Sequence, residues 1–369
     1  LNRYTKHILL AFLSVLVIAS CNDLDNSGQV FLEVGDNFQL ANDTYPQGTV
    51  FLVKAGEHSN QKVHNPKVGN RWIGEKGAIL DGGNRVDAAF SGTAKNIIIQ
   101  GVTLRNYVDN GIHFRSGENI TINRIRVYDS GTGTGERNGA MRFERVIGLN
   151  VLNSHLQRVT SGILPSYSEG PIIISGNSGV NVGRNFIQLD KVTGAGIEIK
   201  NNVMERQGDF LRDGADDVVD WISIFRSEGT PDSPIHVFRN RAKGHGFDTT
   251  GSFIMLGDDG GRYQLAEENI GVNPGQVGVG IAGGENIMVK ENIMFSDESD
   301  FSNVAFYSAD YSTPNPCYNH AIVGNRSYWT SNNRQNNVWT DQKCAPLIEN
   351  NIFPDLSINE LVWEKAFPE

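Results

Sequence analysis

The sequence predicts an all-β solenoid, a single-stranded parallel β-helix of about ten coils. Three observations carry this expectation. The short pattern aliphatic-x-aliphatic-x-x-Asn recurs along the chain. Its copies are spaced unequally, with a floor near 23 residues and a widest interval of 38. No linker or compositional break interrupts the chain after residue 30, which favours one elongated domain over two ordinary ones.

The clearest copies are Ile172, Ile174 and Asn177; Ile197, Ile199 and Asn202; Ile235, Val237 and Asn240; and Ile287, Val289 and Asn292. Weaker copies end at Asn269, Asn325 and Asn351, and three earlier ones place Val102, Ile125 and Ser154 where the asparagine would stand. Each alternating segment reads as a strand with one face inward. Such a strand cannot bury that face alone, whereas stacked neighbours build a continuous core. Asparagine suits the column twice, because it tolerates the left-handed backbone of a sharp bend and its amide can bond along the stack. A second strand precedes each copy by a short turn, as in Gly139–Glu144, Phe186–Asp190, Trp221–Phe225 and Ser252–Leu256.

The termini read differently. Arg3 and Lys6, the apolar run Ile8 to Ile18 and then Ala19-Ser20-Cys21 have the layout of an export signal, too short to span a bilayer. Residues 1–20 are therefore expected to be a signal peptide, 21–30 an acidic tether, 31–353 the β-helix and 354–369 a cap over the open end, where an exposed strand edge needs cover. The residues before Cys21 resemble a lipobox, which implies a lipid-anchored membrane protein with Cys21 as the acylated N-terminus. The start at Asp23 and Asp25 resembles a surface-export tag, which implies the outer membrane or cell surface of a Gram-negative, Bacteroidetes-like bacterium. The formal net charge is −10, which argues against nucleic acid as a partner. A monomer is expected. Cys317 lies eight residues before Asn325 and Cys344 seven before Asn351. They therefore fall at nearly equivalent places on neighbouring coils, and an exported protein is expected to bridge them with a disulfide.

The widest interval, from Asn202 to Asn240, contains the densest run of carboxylates, Gly208 to Asp220, and leads into the strand Trp221–Phe225. Long insertions of this kind usually carry function. With Ile222 and Ile224 inward, Trp221, Ser223 and Phe225 are expected outward, and so are His113, Arg115, Arg142, Glu144 and Asp190 on earlier coils. Asp220 and Arg226 end the strand, Asp258 and Asp259 end the next one, and His245 sits in the loop between. A one-residue slip would reverse every one of these side chains.

The stretches Gly48-Thr49-Val50-Phe51-Leu52-Val53-Lys54-Ala55-Gly56 and Gly74-Glu75-Lys76-Gly77-Ala78, with the repeat as a whole, resemble the right-handed parallel β-helix, or pectate-lyase-like, superfamily. Ser227-Glu228-Gly229-Thr230-Pro231-Asp232-Ser233-Pro234-Ile235, Met255-Leu256-Gly257-Asp258 and Asn273-Pro274-Gly275-Gln276 resemble a branch of it without an assigned activity. The superfamily implies carbohydrate chemistry by lyases, glycoside hydrolases or epimerases, alongside members that only bind. Asp216-Asp217 with Gly244-His245-Gly246 is similar to polygalacturonase-type motifs, whose Asn-Thr-Asp and Arg-Ile-Lys elements this chain lacks.

The expectation is therefore a cell-surface protein that binds an extracellular polysaccharide and hydrolyses it with a carboxylate pair. Asp220 and Asp258 are expected as the pair, with Arg226 orienting or stabilising charge. Trp221, His245, Ser223, Arg142, Asp190 and His113 would contact the sugar. Hydrolysis requires no cofactor. The alternatives are elimination from a uronate polymer, with Ca2+ held by Asp213, Asp216 and Asp217 and Arg226 or Arg142 as base, and a non-catalytic carbohydrate-binding or adhesive solenoid.

Overall fold

A computed structural model describes residues 28–132, 138–207, 218–245, 251–298, 300, 302–311 and 317–365. The signal segment, Cys21 and the acidic residues Asp213, Asp216 and Asp217 lie outside the described residues.

The chain winds into parallel strands that pair with the equivalent strand one turn later. Among the described residues a 23-stranded sheet carries two columns and bends at a corner between them, and a 12-stranded sheet forms the third side. The corner lies inside single long strands such as Asn110–Asn123 and Ser252–Glu267. One column, here the groove column, runs through Asn110, Gly139, Asn185, Asp220, Ser252, Val277 and Val304. The asparagine pattern follows the second column, in strands such as Ile197–Lys200 and Ile235–Phe238. The inward residues of all three sides form one apolar core from Val30 to Trp329.

Asparagines bond in file along the turn after the second column. The backbone N–H and side-chain amide of Asn177 both donate to Asn202 Oδ1, each at 3.0 Å. Asn202 does the same to Asn240, Asn240 to Asn269, Asn269 to Asn292, Asn292 to Asn325 and Asn325 to Asn351. Ser154 N–H joins the file by donating to Asn177 Oδ1. The left-handed bend falls one residue earlier than the asparagine, at Asn153, Gly176, Asn201, Arg239, Glu268, Glu291, Gly324 and Asn350. The asparagine is thus selected for its amide, which satisfies backbone groups that the bend would otherwise strand in the interior. Left-handed arginine and glutamate cost about 1–2 kcal/mol each and are held by the stacked turns around them.

Helix Phe38–Thr44 closes the N-terminal end, with Asn37 capping it and Phe38 buried against Trp72, which stacks on Phe51 at 4.1 Å. The C-terminal segment departs from expectation. It folds back along the third side, where Ile358 and Val362 pack on Ile270, Val272 and Phe295, and Arg326 binds Asp355 at 2.6 Å. The outer face of that side is apolar here, so the segment covers a flank and leaves the last rung, Leu347–Glu349, exposed. Cys317 and Cys344 form a disulfide with Cα atoms 5.0 Å apart.

Candidate active site on the groove face

The groove column begins each strand with two consecutive buried residues, as in Ala140-Met141, Phe186-Ile187, Trp221-Ile222, Phe253-Ile254 and Ala305-Phe306. Simple alternation therefore fails at this corner, because the chain is still turning inward when the strand starts. This corrects the expectation for Trp221. Its ring is fully buried, with the indole N–H donated to the Pro274 carbonyl at 2.9 Å, so it cannot stack on a sugar. Ser223 lies on the outward side but is only 1% exposed; its short side chain sits between Gln188 and Met255 of the adjacent rungs.

Asp220 also takes a different place. It is buried, and Oδ1 accepts from Ser252 N–H at 3.0 Å and Ser252 Oγ at 2.5 Å, while its carbonyl accepts from Asn185 Nδ2. It belongs to a polar column that stitches the strand starts together. Its register partner is Ser252, which precedes Asp258 by roughly 20 Å of extended chain. Carboxylates that cooperate in glycoside hydrolysis stand about 5–9.5 Å apart, so Asp220 and Asp258 do not make that pair.

What converges instead is a set at the far end of the strand. Asp190, Phe225 and Asp258 are register partners on three successive rungs. Arg226, with left-handed backbone, folds over the Phe225 ring at 4.0 Å. Its Nη2 donates to Asp190 Oδ1 at 3.3 Å and its Nε lies 3.7 Å from Asp259 Oδ2. Asp190 is almost fully buried, whereas the Asp259 side chain is 45% exposed. Burial pushes the Asp258 carboxyl up to about 6; neighbouring Asp259 adds to the rise and Arg226 opposes it. One carboxyl with a raised pKa beside others bound to a cation is the division that acid–base chemistry needs.

The turn that presents Asp258 is built from Gly257, Asp259, Gly260 and Gly261, all with positive φ. Gly257 is required, because a Cβ there would meet the Gly283 carbonyl oxygen at 2.1 Å. Buried Gln264 clamps the turn, accepting from Gly257 N–H and donating to the Ser227 carbonyl, both at 2.8 Å. Sequence reading missed this turn, although clustered glycines are a bend signal; the clamp carried no sequence signal.

The remaining expected residues lie apart from this centre. His113 and Arg142 are on the outward side, nearer the N-terminal end. His113 Nε2 meets Glu144 Oε1 at 3.0 Å, and Arg142 reaches the same oxygen at 2.9 Å. Burial lowers the His113 pKa, with the Glu144 hydrogen bond opposing it. His245 pairs with Glu298. Beside His113 a cavity of about 450 Å³ is lined by Lys62, His64, Arg85, Asp87, Asp109 and Arg115.

One further cluster has metal-ligand chemistry. Cys317, His320 and Cys344 bring ligand-type atoms within 4.8 Å of one another. The disulfide already uses both sulfurs, and His320 Nδ1 accepts the Ile287 N–H at 3.3 Å. That leaves the ring proton on Nε2, facing Cys317 Sγ at 3.5 Å. The cluster is structural.

No family model and no curated protein sequence matches the chain. Solved structures do. A GH136 lacto-N-biosidase from Eubacterium ramulus aligns over 88% of this chain and 68% of its own, with TM-score 0.59 and 13% identity. The catalytic domain of a GH87 α-1,3-glucanase in complex with nigerose aligns over 89% and 69%, with TM-score 0.56 and 12% identity. An alginate lyase from Paenibacillus sp. str. FPU-7 aligns over 87% and 99%, with TM-score 0.50 and 14% identity. The fold of this chain is accordingly a right-handed parallel β-helix. At such identities the likeness is one of fold.

Proposed function

We propose that this protein binds an extracellular polysaccharide along the groove face and hydrolyses it. The observation that carries the reading is the placement of Asp258 and Asp259 on one glycine-rich turn beside Arg226. Asp258, with its pKa near 6, would protonate the departing glycosidic oxygen as general acid. Asp259, exposed and held by Arg226, would activate water or attack the anomeric carbon. Asp190 anchors Arg226 and so fixes the distance between cation and carboxylates. The stacked rungs and the asparagine file from Asn177 to Asn351 would keep this face rigid. The similar folds of a glucanase and a biosidase support a carbohydrate substrate by analogy.

A polysaccharide panel scored for reducing ends and for unsaturated product tests this. Release of reducing ends that is lost in Asp258→Asn and Asp259→Asn supports hydrolysis, and activity untouched by both would overturn the assignment.

The cavity beside His113 favours a second reading, elimination from a uronate. Lys62, Arg85 and Arg115, which outnumber Asp87 and Asp109 in its lining, suit an anionic sugar, and burial favours the neutral, proton-accepting form of His113. The same panel separates the two, because elimination yields an unsaturated uronate that absorbs in the ultraviolet. From the Ala19-Ser20-Cys21 motif we further propose a lipid anchor at Cys21 on the cell surface. Palmitate labelling that persists in Cys21→Ala would exclude it.

A further inference from the structure

Beyond the acidic turn the groove face changes character. Val277, Val304, Tyr307 and Ala309 form an apolar cluster outside the main core, with Met255 packed against it. Over this floor stand two exposed aromatic rings, Trp339 at 47% and Tyr311 at 66% exposure. Tyr307 meets Tyr311 edge-on at 5.8 Å and Trp339 at 6.3 Å. Together they border a cavity of about 400 Å³, with Gln276, Asn303 and Asn336 on its rim. No charged side chain is among its described lining residues.

Gly280 makes this arrangement possible. It occupies the outward position of the rung between Met255 and Tyr307. A Cβ there would stand 2.6 Å from two carbons of the Tyr307 ring, closer than any real contact. The missing side chain lets the ring lie across the rung, so that its hydroxyl reaches Met255 Sδ at 3.0 Å. Met255 is three residues from Asp258 on the same strand, roughly 10 Å. Burial raises the Tyr307 pKa well above its usual value, and the Asp220 and Asp258 carboxylates add to the rise. The phenol therefore stays neutral and lies within the field of the acidic turn.

Exposed aromatic faces, a neutral lining and amides at the rim are the complement of a hydroxylated ring with an apolar face. Aromatic residues supply contact area at small entropic cost, while amides adapt to hydroxyls. We propose that Tyr307, Tyr311 and Trp339 form a subsite for a neutral pyranose of the bound glycan, next to the carboxylate turn. The inference rests on the hydrolase reading for its place in the substrate path, but the subsite binds whether or not cleavage follows. It assigns a neutral sugar to this end of the groove, whatever the cavity beside His113 holds at the other.

Calorimetric titration of the intact protein with neutral glycans (soluble α- and β-glucans, galactan, xylan) and anionic ones (alginate, polygalacturonate) tests this. Trp339→Ala, Gly280→Ala and Asp258→Asn are run beside the parent. At least one neutral glycan is expected to bind, and Trp339→Ala to weaken it about tenfold, in line with the worth of an aromatic contact. Gly280→Ala should lower the same affinity by displacing Tyr307, and Trp339→Ala should leave the melting temperature unchanged because that ring is half exposed. Asp258→Asn should bind normally. Failure of every neutral glycan to bind, or parent-like affinity in Trp339→Ala, would overturn the subsite. Loss of cleavage in Asp258→Asn with parent-like binding in Trp339→Ala would sink the subsite and spare the hydrolase. Intact cleavage in Asp258→Asn with weakened binding in Trp339→Ala would do the reverse.

Discussion

Arg226 stands between two aspartates of different exposure, donating to buried Asp190 at 3.3 Å and lying 3.7 Å from open Asp259. Because Arg226 also lowers the pKa of Asp258, this one guanidinium both anchors the site and tunes its acid. Removing it must act on both.

Cleavage should therefore fall as pH rises through about 6, where Asp258 loses the proton it donates. Arg226→Gln should move that alkaline limb to higher pH while lowering the maximum rate. A pH–rate profile of parent and variant checks this, and a limb that stays in place would separate Arg226 from Asp258.

Asp258 and His320 should act oppositely on stability. The folded pKa of Asp258 is raised from 3.8 to about 6, so its stabilising contribution is present in acid and disappears as pH rises through 6. The His320 pKa is lowered from 6.5 to about 4 by burial, so its contribution is present above 6.5 and is lost as pH falls through 4. Each shift corresponds to about 3 kcal/mol. Relative to the parent, Asp258→Asn should gain stability toward pH 7, and His320→Gln should lose its advantage there. Urea unfolding between pH 4 and pH 7 measures both.

Reduction of the disulfide, or Cys317→Ser with Cys344→Ser, should cost about 3–4 kcal/mol. The bridge spans 27 residues, and opening it returns that loop's freedom to the unfolded chain. Unfolding with and without reductant reads the difference directly.

Asn240→Ala should be severe. Asn240 Oδ1 accepts both the N–H and the amide of Asn202, and its own amide donates to the Ile199 carbonyl and to Asn269. Several buried groups would lose partners, at about 1–3 kcal/mol each. Asn351→Ala, at the half-buried end of the file, should cost less. Comparing their unfolding midpoints tests whether the file is a stabilising element.

The fold was legible because one amide must recur at one register. Asn177, Asn202 and Asn240 announce their rungs even where the strands are short. The left-handed residue before each was not legible, since Arg239 and Glu268 carry no turn signal of their own. The candidate site was half legible. Asp258 and Arg226 were expected at strand ends; they sit at the corner inside the strands Val218–Glu228 and Ser252–Glu267, and both belong to the convergent set. Trp221 and Asp220 were misplaced because strict alternation was carried through a corner at which two successive residues point inward. Tyr307 carried no signal of its role, which depends on the gap left by Gly280 one rung away. Only a three-dimensional register brings those two positions together.

The most direct test of the central claim is the rate at which Asp258→Asn cleaves the glycan that the parent cleaves, measured as reducing ends. The loss of a general acid is expected to lower that rate by about 10²–10⁴-fold with the affinity for the glycan intact. A variant that cleaves at the parent rate would contradict the account.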